Sequence, residues 1–405
     1  MAGSPRIGGR RTRGTAVVAG ALGLAVLAGA CGGADWDVSD RTVDGAEVAT
    51  ATSTLDPETT ETLERILQEG FEQSGMPGVA AYVRIGDGEW SEALGVGDLD
   101  TREPFDPDAH VRIASITKTF TSTAILRLVD QGELSLDDTL DEFVDGITNG
   151  DRITIRDLLG MTSGIFDFTS DDELMAEWAD DLTMPWTLDD TMEHIAGRPA
   201  NFEPGTQVLY TDSNYAILAK VLEEVTGTTA SEAVTSLVIE PLGLENTRFP
   251  AADEPDVPSP HQQGYRPPGQ ELGDLDALIP VGDINPEVAS GAGNMTSTMA
   301  DLATWVEALA LGDLLSPSLQ AERLEFRRFP NQAIDVGYGL GVIRLKDVIG
   351  HDGAIMGYST VAMYLPEADA TFVLVGNGSS NFTTPTMDIF LQMLAALYPD
   401  QVAKG

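Results

Sequence analysis

The sequence predicts an α/β protein of the α+β type. A mainly antiparallel sheet is built from both ends of the domain, flanked by helices, and a mostly helical region is inserted between the two halves. Three observations carry this expectation. β-rich runs occupy residues 78–97 and recur at 338–377, near the two ends of the apolar text. The stretch between, about 113–285, reads as helices separated by long loops. No internal repeat is present, so one large core is expected rather than an array.

Taken in order, "LDPETTETLERILQEGFEQ" is the first helix. Asp56 suits the N-cap, Pro57 suits the first turn, and Leu63, Ile66, Leu67 and Phe71 recur on one face. "GVAAYVRI" and "EWSEALGVG", joined by "GDG", read as a hairpin. A helix follows from Ser115 to about Gln131, with Ile116, Phe120, Ala124 and Leu128 on one stripe and Gly132 as its stop. Another runs from about Ser213 to Val225, with Asp212 or Ser213 as its N-cap and Gly227 beyond its end. Residues 250–290 are rich in Pro, Gly and Asp, the kind of long irregular stretch that lines a site or moves. "MADLATWVEALA" is helical, "YGLGVIRL", "STVAMYLP" and "ATFVLVGN" read as strands, and a last helix covers about 386–398.

The chain has 405 residues, 65 acidic and 23 basic, for a net charge of −42. That balance excludes nucleic acid as an expected partner, since phosphate recognition needs clustered Lys and Arg. It reads as a well-solvated surface, with attraction of a cationic ligand as the alternative. Residues 1–31 differ from the rest: four arginines, then an apolar run too short to span a bilayer, then Cys31. This predicts an export signal. "LAGAC" resembles the lipobox of bacterial lipoproteins, with Ala28 where Leu or Val is usual, and implies lipidation at Cys31. A lipid-anchored protein on the outer face of the bacterial cytoplasmic membrane, or otherwise a secreted one, is expected. Residues 32–55 read as a flexible tether and 56–400 as the folded domain, divided into 56–112 with 286–400 as the α/β part and 113–285 as the helical part. Cys31 is the one cysteine, so no intramolecular disulfide forms.

Three short stretches carry candidate chemistry. In "ASITKTF", Ser115 and Lys118 stand three apart, one helical turn on one face. A serine hydroxyl needs a neighbouring base to act as a nucleophile. A lysine amine can serve when burial or a nearby cation favours its neutral form, and an arginine cannot. Arginine outnumbers lysine nineteen to four here, so the choice at 118 carries information. The spacing alone is weak, because it arises by chance in roughly a quarter of such chains. The second stretch, "FEPGTQVLYTDSNYAILAK", holds Tyr210 and Asp212, whose bland readings are a packing aromatic and a helix cap. The third, "GHDGAIMGYS", places His351 and Gly353 before a β-rich run, where the glycine marks close approach of a backbone or ligand.

In this order, the three resemble the serine β-lactamase and penicillin-binding family, in the branch of class C β-lactamases, Streptomyces-type D-alanyl-D-alanine carboxypeptidases and related esterases. Ser115-Ile116-Thr117-Lys118 matches Ser-x-x-Lys, Tyr210-Thr211-Asp212 the Tyr-x-Asn position, and His351-Asp352-Gly353 the Lys/His-x-Gly position. "ITIRDLLGMTSGI", "PLGLENTRF" and "ASGAGNMTSTMADLATW" resemble the same family's connecting segments, so the resemblance covers about 56–400. Ser163, in "TSGI", lacks the Gly-x-Ser-x-Gly setting of an α/β-hydrolase nucleophile.

The resemblance implies acyl transfer through a covalent acyl-enzyme. Ser115 is the nucleophile, Lys118 and Tyr210 relay its proton, and the backbone N–H groups of Ser115 and Ala354 form the oxyanion hole. Asp212, His351 and Gly353 bind substrate. Two departures bear on which substrate. Asp212 replaces an amide that can donate a hydrogen bond, and a carboxylate only accepts one. His351 replaces the lysine of class C enzymes, so affinity for a substrate carboxylate is expected to be weaker or to rise in mild acid. The substrate class implied is a small molecule or a cell-wall peptide cleaved as by a carboxypeptidase, esterase or amidase, with β-lactams as an alternative. A non-catalytic penicillin-binding-like sensor is the alternative of another class. His110, His194, His261 and His351 are scattered without ligand spacing, and neither "GVGDL" nor "GNGSS" makes a phosphate loop, so no metal or cofactor is expected.

Overall fold

The computed structural model describes residues 53–402 except 252, 269–271, 273–274, 331–334 and 381–383. Cys31, the export segment and nearly all of the tether lie outside the described residues.

Nine strands form the main sheet: β1 (Ser53–Thr54), β2 (Gly78–Ile85), β3 (Gly88–Gly95), β4 (Arg327–Arg328), β5 (Val336–Tyr338), β6 (Ile343–Leu345), β7 (Val348–Ile355), β8 (Tyr358–Leu365) and β9 (Ala370–Gly376). Their spatial order is β1-β3-β2-β9-β8-β7-β6-β5-β4. Every neighbouring pair is antiparallel except β1 with β3, which is parallel. The expected mixture of helices with an antiparallel sheet drawn from both ends is what forms. β2 pairs with β9 from Val79↔Gly376 to Ile85↔Ala370. That junction sews the two ends together at the centre of the sheet.

Long helices cover both faces. α1 (Pro57–Ser74) starts where the Asp56 carboxylate accepts the Thr59 N–H at 3.0 Å, and ends at Gly75 in the left-handed conformation. Its buried residues are Leu63, Ile66, Leu67 and Gly70, which is the expected stripe without Phe71. α2 (Thr117–Gln131) and α3 (Asp212–Thr226) pack together in the helical region. α4 (Met299–Leu311) and α5 (Pro385–Leu397) take opposite faces of β9, as the pleat requires. Thr371 Oγ1 donates to Glu307 of α4 at 2.6 Å, while its neighbour Phe372 meets Phe390 of α5 edge-on at 5.5 Å.

Several expectations need correction. "YGLGVIRL" is not one strand: β5 and β6 form a hairpin around Gly339–Val342. His351 and Gly353 do not precede a strand but lie inside β7, which pairs with β8 over seven positions. Two glycines, a histidine and an aspartate within eight residues hide the strand from propensity, and it forms because β6 and β8 flank it. The tether assignment overlaps β1, and Thr211, not Asp212 or Ser213, caps α3 by accepting the Ser213 N–H at 3.2 Å.

Candidate active site

Ser115 sits in the tight turn Ala114–Ile116 that feeds α2. Ala114 has φ 49°, left-handed for a residue with a Cβ, a conformation costing about 1–2 kcal/mol that the surroundings must hold in place. They do so on both sides. The Ile113 N–H donates to Met295 O at 3.0 Å, Thr360 Oγ1 donates to Ile113 O at 3.1 Å, and Thr117 Oγ1 accepts the Met295 N–H at 3.1 Å. The turn lies directly on β7 at Gly353. A Cβ there would stand 2.4 Å from Ile113 O and 3.0 Å from Ala114 Cβ. Gly353 thus seats the turn that carries Ser115.

Lys118, one turn further on, is fully buried. α2 is locked around it by Phe120 stacked on Trp305 at 3.9 Å, and by Trp305 Nε1 donating to Thr119 Oγ1 at 2.8 Å. Lys118 Nζ lies 3.0 Å from Ser115 Oγ, 2.8 Å from Ala292 O and 2.6 Å from Asp212 Oδ1. It also stands 4.9 Å from the centre of the Tyr210 ring. The Ser115 side chain faces the Tyr210 phenol. Burial, and then the Asp212 charge, raise that phenol well above the ordinary value, with Asp352 and Asp167 adding to the rise and the Ser115 side chain opposing it. The phenol therefore keeps its proton across the neutral range.

His351 is buried on the helical side of β7. Its ring is 6.1 Å from Tyr210 and 5.9 Å from Tyr338. Nδ1 lies 2.6 Å from the backbone oxygen of Asp352 and Nε2 3.4 Å from the Tyr338 hydroxyl. Burial, helped by the Lys118 charge, pushes the imidazole down to about 3. His351 is thus neutral from pH 5 to 8 and offers no charge to a substrate carboxylate over that range. Asp352 accepts from Thr384 Oγ1 at 3.4 Å and is raised to about 6 by burial.

A cavity of about 60 Å³ opens beside Ser115. Asp212 and Ala354 line it together with an apolar wall that includes Phe168, Met175, Trp178 and Ile355. Ala354 therefore reaches the cavity beside Ser115. Two residues that sequence reading did not single out belong here. Asp167 accepts the Thr169 N–H at 3.3 Å, and burial followed by the Asp212 charge raises it to about 6. Trp178 forms part of the cavity wall with its indole N–H unpaired. No motif spacing marks either. Ser163 is buried and donates to Asn214 Oδ1 at 2.6 Å, which ties the loop to α3.

A serine and a lysine at the seam between such a sheet and a helical region define the serine β-lactamase and penicillin-binding class of fold. Residues 63–397 match the family described as Beta-lactamase, and the chain belongs to that family. Protein flp of Staphylococcus aureus is 25% identical over 335 residues, covering 79% of this chain and 63% of that protein. The chain thus spans less than two thirds of the length of this curated relative. Esterase EstB of Burkholderia gladioli is 29% identical over 233 residues, 54% of this chain and 59% of that one. Among solved structures, a D-stereospecific amidohydrolase from Streptomyces sp. superposes with TM-score 0.73 at 28% identity, covering 84% of this chain and 98% of that one. The D-amino acid amidase of Ochrobactrum anthropi SV3, complexed with L-phenylalanine amide, shares the fold at TM-score 0.71 and 22% identity, over 85% and 99% of the two chains. Among the described residues no helix is long and apolar enough to cross a membrane.

Proposed function

We propose that the protein is a serine hydrolase that cleaves small amides or esters through an acyl-enzyme on Ser115. The observation that carries this is Lys118 Nζ at 3.0 Å from Ser115 Oγ, at the edge of a cavity with an apolar wall. Ser115 Oγ bonds to the substrate carbonyl carbon as its proton passes to Lys118. The carbonyl electron pair moves onto oxygen, facing the N–H groups of Ser115 and Ala354. Tyr210 then passes a proton to the departing nitrogen or oxygen, and water later displaces the enzyme from the acyl group. Acid–base help of this kind is worth about 10²–10⁴ in rate, and one oxyanion donor about 10²–10³. The likeness to an esterase and a D-stereospecific amidohydrolase supports the small-substrate reading over a carboxypeptidase. A carboxypeptidase needs a cation for the terminal carboxylate, and no Lys, Arg or His lines the cavity among the described residues.

Intact-protein mass spectrometry after exposure to p-nitrophenyl acetate tests the reading. An acetyl mass increase on the wild type and none on Ser115→Ala is expected. Equal labelling of both would overturn the assignment of the nucleophile. Export and lipid anchoring at Cys31 belong to the same proposal and rest on the text of residues 1–31. Cys31→Ala should move the protein out of the membrane fraction, and an unchanged distribution would refute the anchor.

A further inference from the structure

The three atoms around Lys118 Nζ pose a proton-counting problem. An ammonium has three N–H bonds and no lone pair. Here its partners are Ser115 Oγ at 3.0 Å, Ala292 O at 2.8 Å and Asp212 Oδ1 at 2.6 Å. With all three N–H bonds so directed, nothing on Lys118 can accept the Ser115 proton. Tyr210 is no substitute base, since burial and its three neighbouring carboxylates keep the phenol protonated. One N–H must therefore be given up first. A peptide carbonyl is not a workable proton acceptor and the serine hydroxyl is the group to be deprotonated, which leaves the carboxylate. Asp212 stands where the family motif has an amide, which could not take that proton either.

We propose that Asp212 is the proton acceptor that turns Lys118 into the base of the reaction. This rests on Ser115 acting as the nucleophile, as proposed above. One Lys118 proton moves to Asp212 Oδ1, and the lone pair so freed takes the Ser115 hydroxyl proton as Oγ bonds to the carbonyl carbon. Lys118, again an ammonium, delivers a proton through Tyr210 to the leaving group. Asp212 then returns its proton to the amine, which restores the starting pair. No proton is exchanged with solvent during acylation. Within the pair Lys118 is fully buried, while the Asp212 side chain is 29% exposed and borders the cavity.

This makes a distinctive pH signature. In the wild type the pair reaches its active form by internal transfer, so acylation should not depend on pH in the neutral-to-alkaline range. In Asp212→Asn the amine must lose its proton to water, and below its own ionisation the active fraction grows about tenfold per pH unit. The window from pH 7 to 9 isolates the effect. The other groups facing the pair are Asp167 in the 165–170 loop, Tyr210, Tyr215 of α3, Tyr338 of β5, and His351 and Asp352 of β7. Asp167 and Asp352 titrate at about 6 and His351 at about 3, while burial places all three phenols above the window.

The test is the single-turnover acylation rate with p-nitrophenyl acetate in the full chain, wild type against Asp212→Asn and Asp212→Glu. Melting curves confirm that each variant folds. We expect a flat wild-type profile, an asparagine variant slower by about 10² at pH 7 and rising about tenfold per unit, and a glutamate variant that is slower but flat. An asparagine variant with the wild-type profile would overturn the role, as would a glutamate variant whose rate climbs with pH as the asparagine variant's does. Absence of any Ser115-linked acetyl group in the wild type would instead overturn the acyl-enzyme reading on which this one stands.

Discussion

Gly353→Ala should damage catalysis more than stability, because it pushes on the backbone turn that holds Ser115, the proposed nucleophile. The added Cβ would lie 2.4 Å from Ile113 O, 2.7 Å from Thr360 Oγ1 and 3.0 Å from Ala114 Cβ. The glycine's φ is not left-handed, so the cost is steric and not conformational. Carbon and oxygen rest at a little over 3 Å, so something must retreat by about 1 Å, a displacement able to cost about 10² in rate when it reaches reacting groups. Ile113 O is held by Thr360 and its N–H by Met295, so the movement is passed to Ala114 and Ser115. Overpacking of this kind costs about 1–3 kcal/mol. Urea titration gives the stability loss, and the burst rate with p-nitrophenyl acetate gives the catalytic one. A variant that keeps the wild-type burst rate would refute the claim that Gly353 seats the turn.

Charge near the site leads to two further expectations. Inhibition by phenylacetate should weaken as pH rises from 5 to 8, because Asp167 and Asp352 gain negative charge near 6 while His351 stays neutral. His351→Gln should leave that trend in place and Asp167→Asn should flatten it; loss of the trend in the histidine variant would reverse the assignment. Asp352→Asn should stabilise the fold at pH 7 by about 3 kcal/mol, since the folded-state value near 6 lies above the usual carboxylate value of 3.8 and ionisation therefore costs stability as pH rises through that range. The gain should vanish below pH 4, where the carboxyl is protonated in both states; an equal gain at pH 4 and pH 7 in chemical denaturation would contradict it.

The three motifs that define the site were readable as text because each carries a chemical requirement at fixed spacing. Ser115 and Lys118 need one helical turn between them, and the turn Ala114–Ile116 running into α2 supplies it. What could not be read was the charge state of the groups around them. His351 looks like a pH-sensitive cation until its burial between Tyr338 and Tyr210 is known. Asp167 looks like one more solvated acid in a chain of 65, and only the fold brings it near Asp212. The sheet was legible where β-branched and apolar residues run together, as in β8 and β9. β7 was missed because the residues that pack the nucleophile turn and face the site are poor strand formers. Helix starts were off by a residue for a related reason: Thr211, Asp212 and Ser213 can all cap, and tertiary contacts decide which one does.

The seam between β2 and β9 also has a consequence for how the molecule is made. Its partners lie roughly 290 residues apart in the chain, so a long loop must close before the centre of the sheet can form. A nascent chain can close the β2–β3 hairpin early, but that hairpin keeps an open, apolar edge until the last strand arrives. Folding is accordingly expected to be slow and to wait until β9 has been synthesised. Until then, the chain depends on something else to shield β2 from its neighbours.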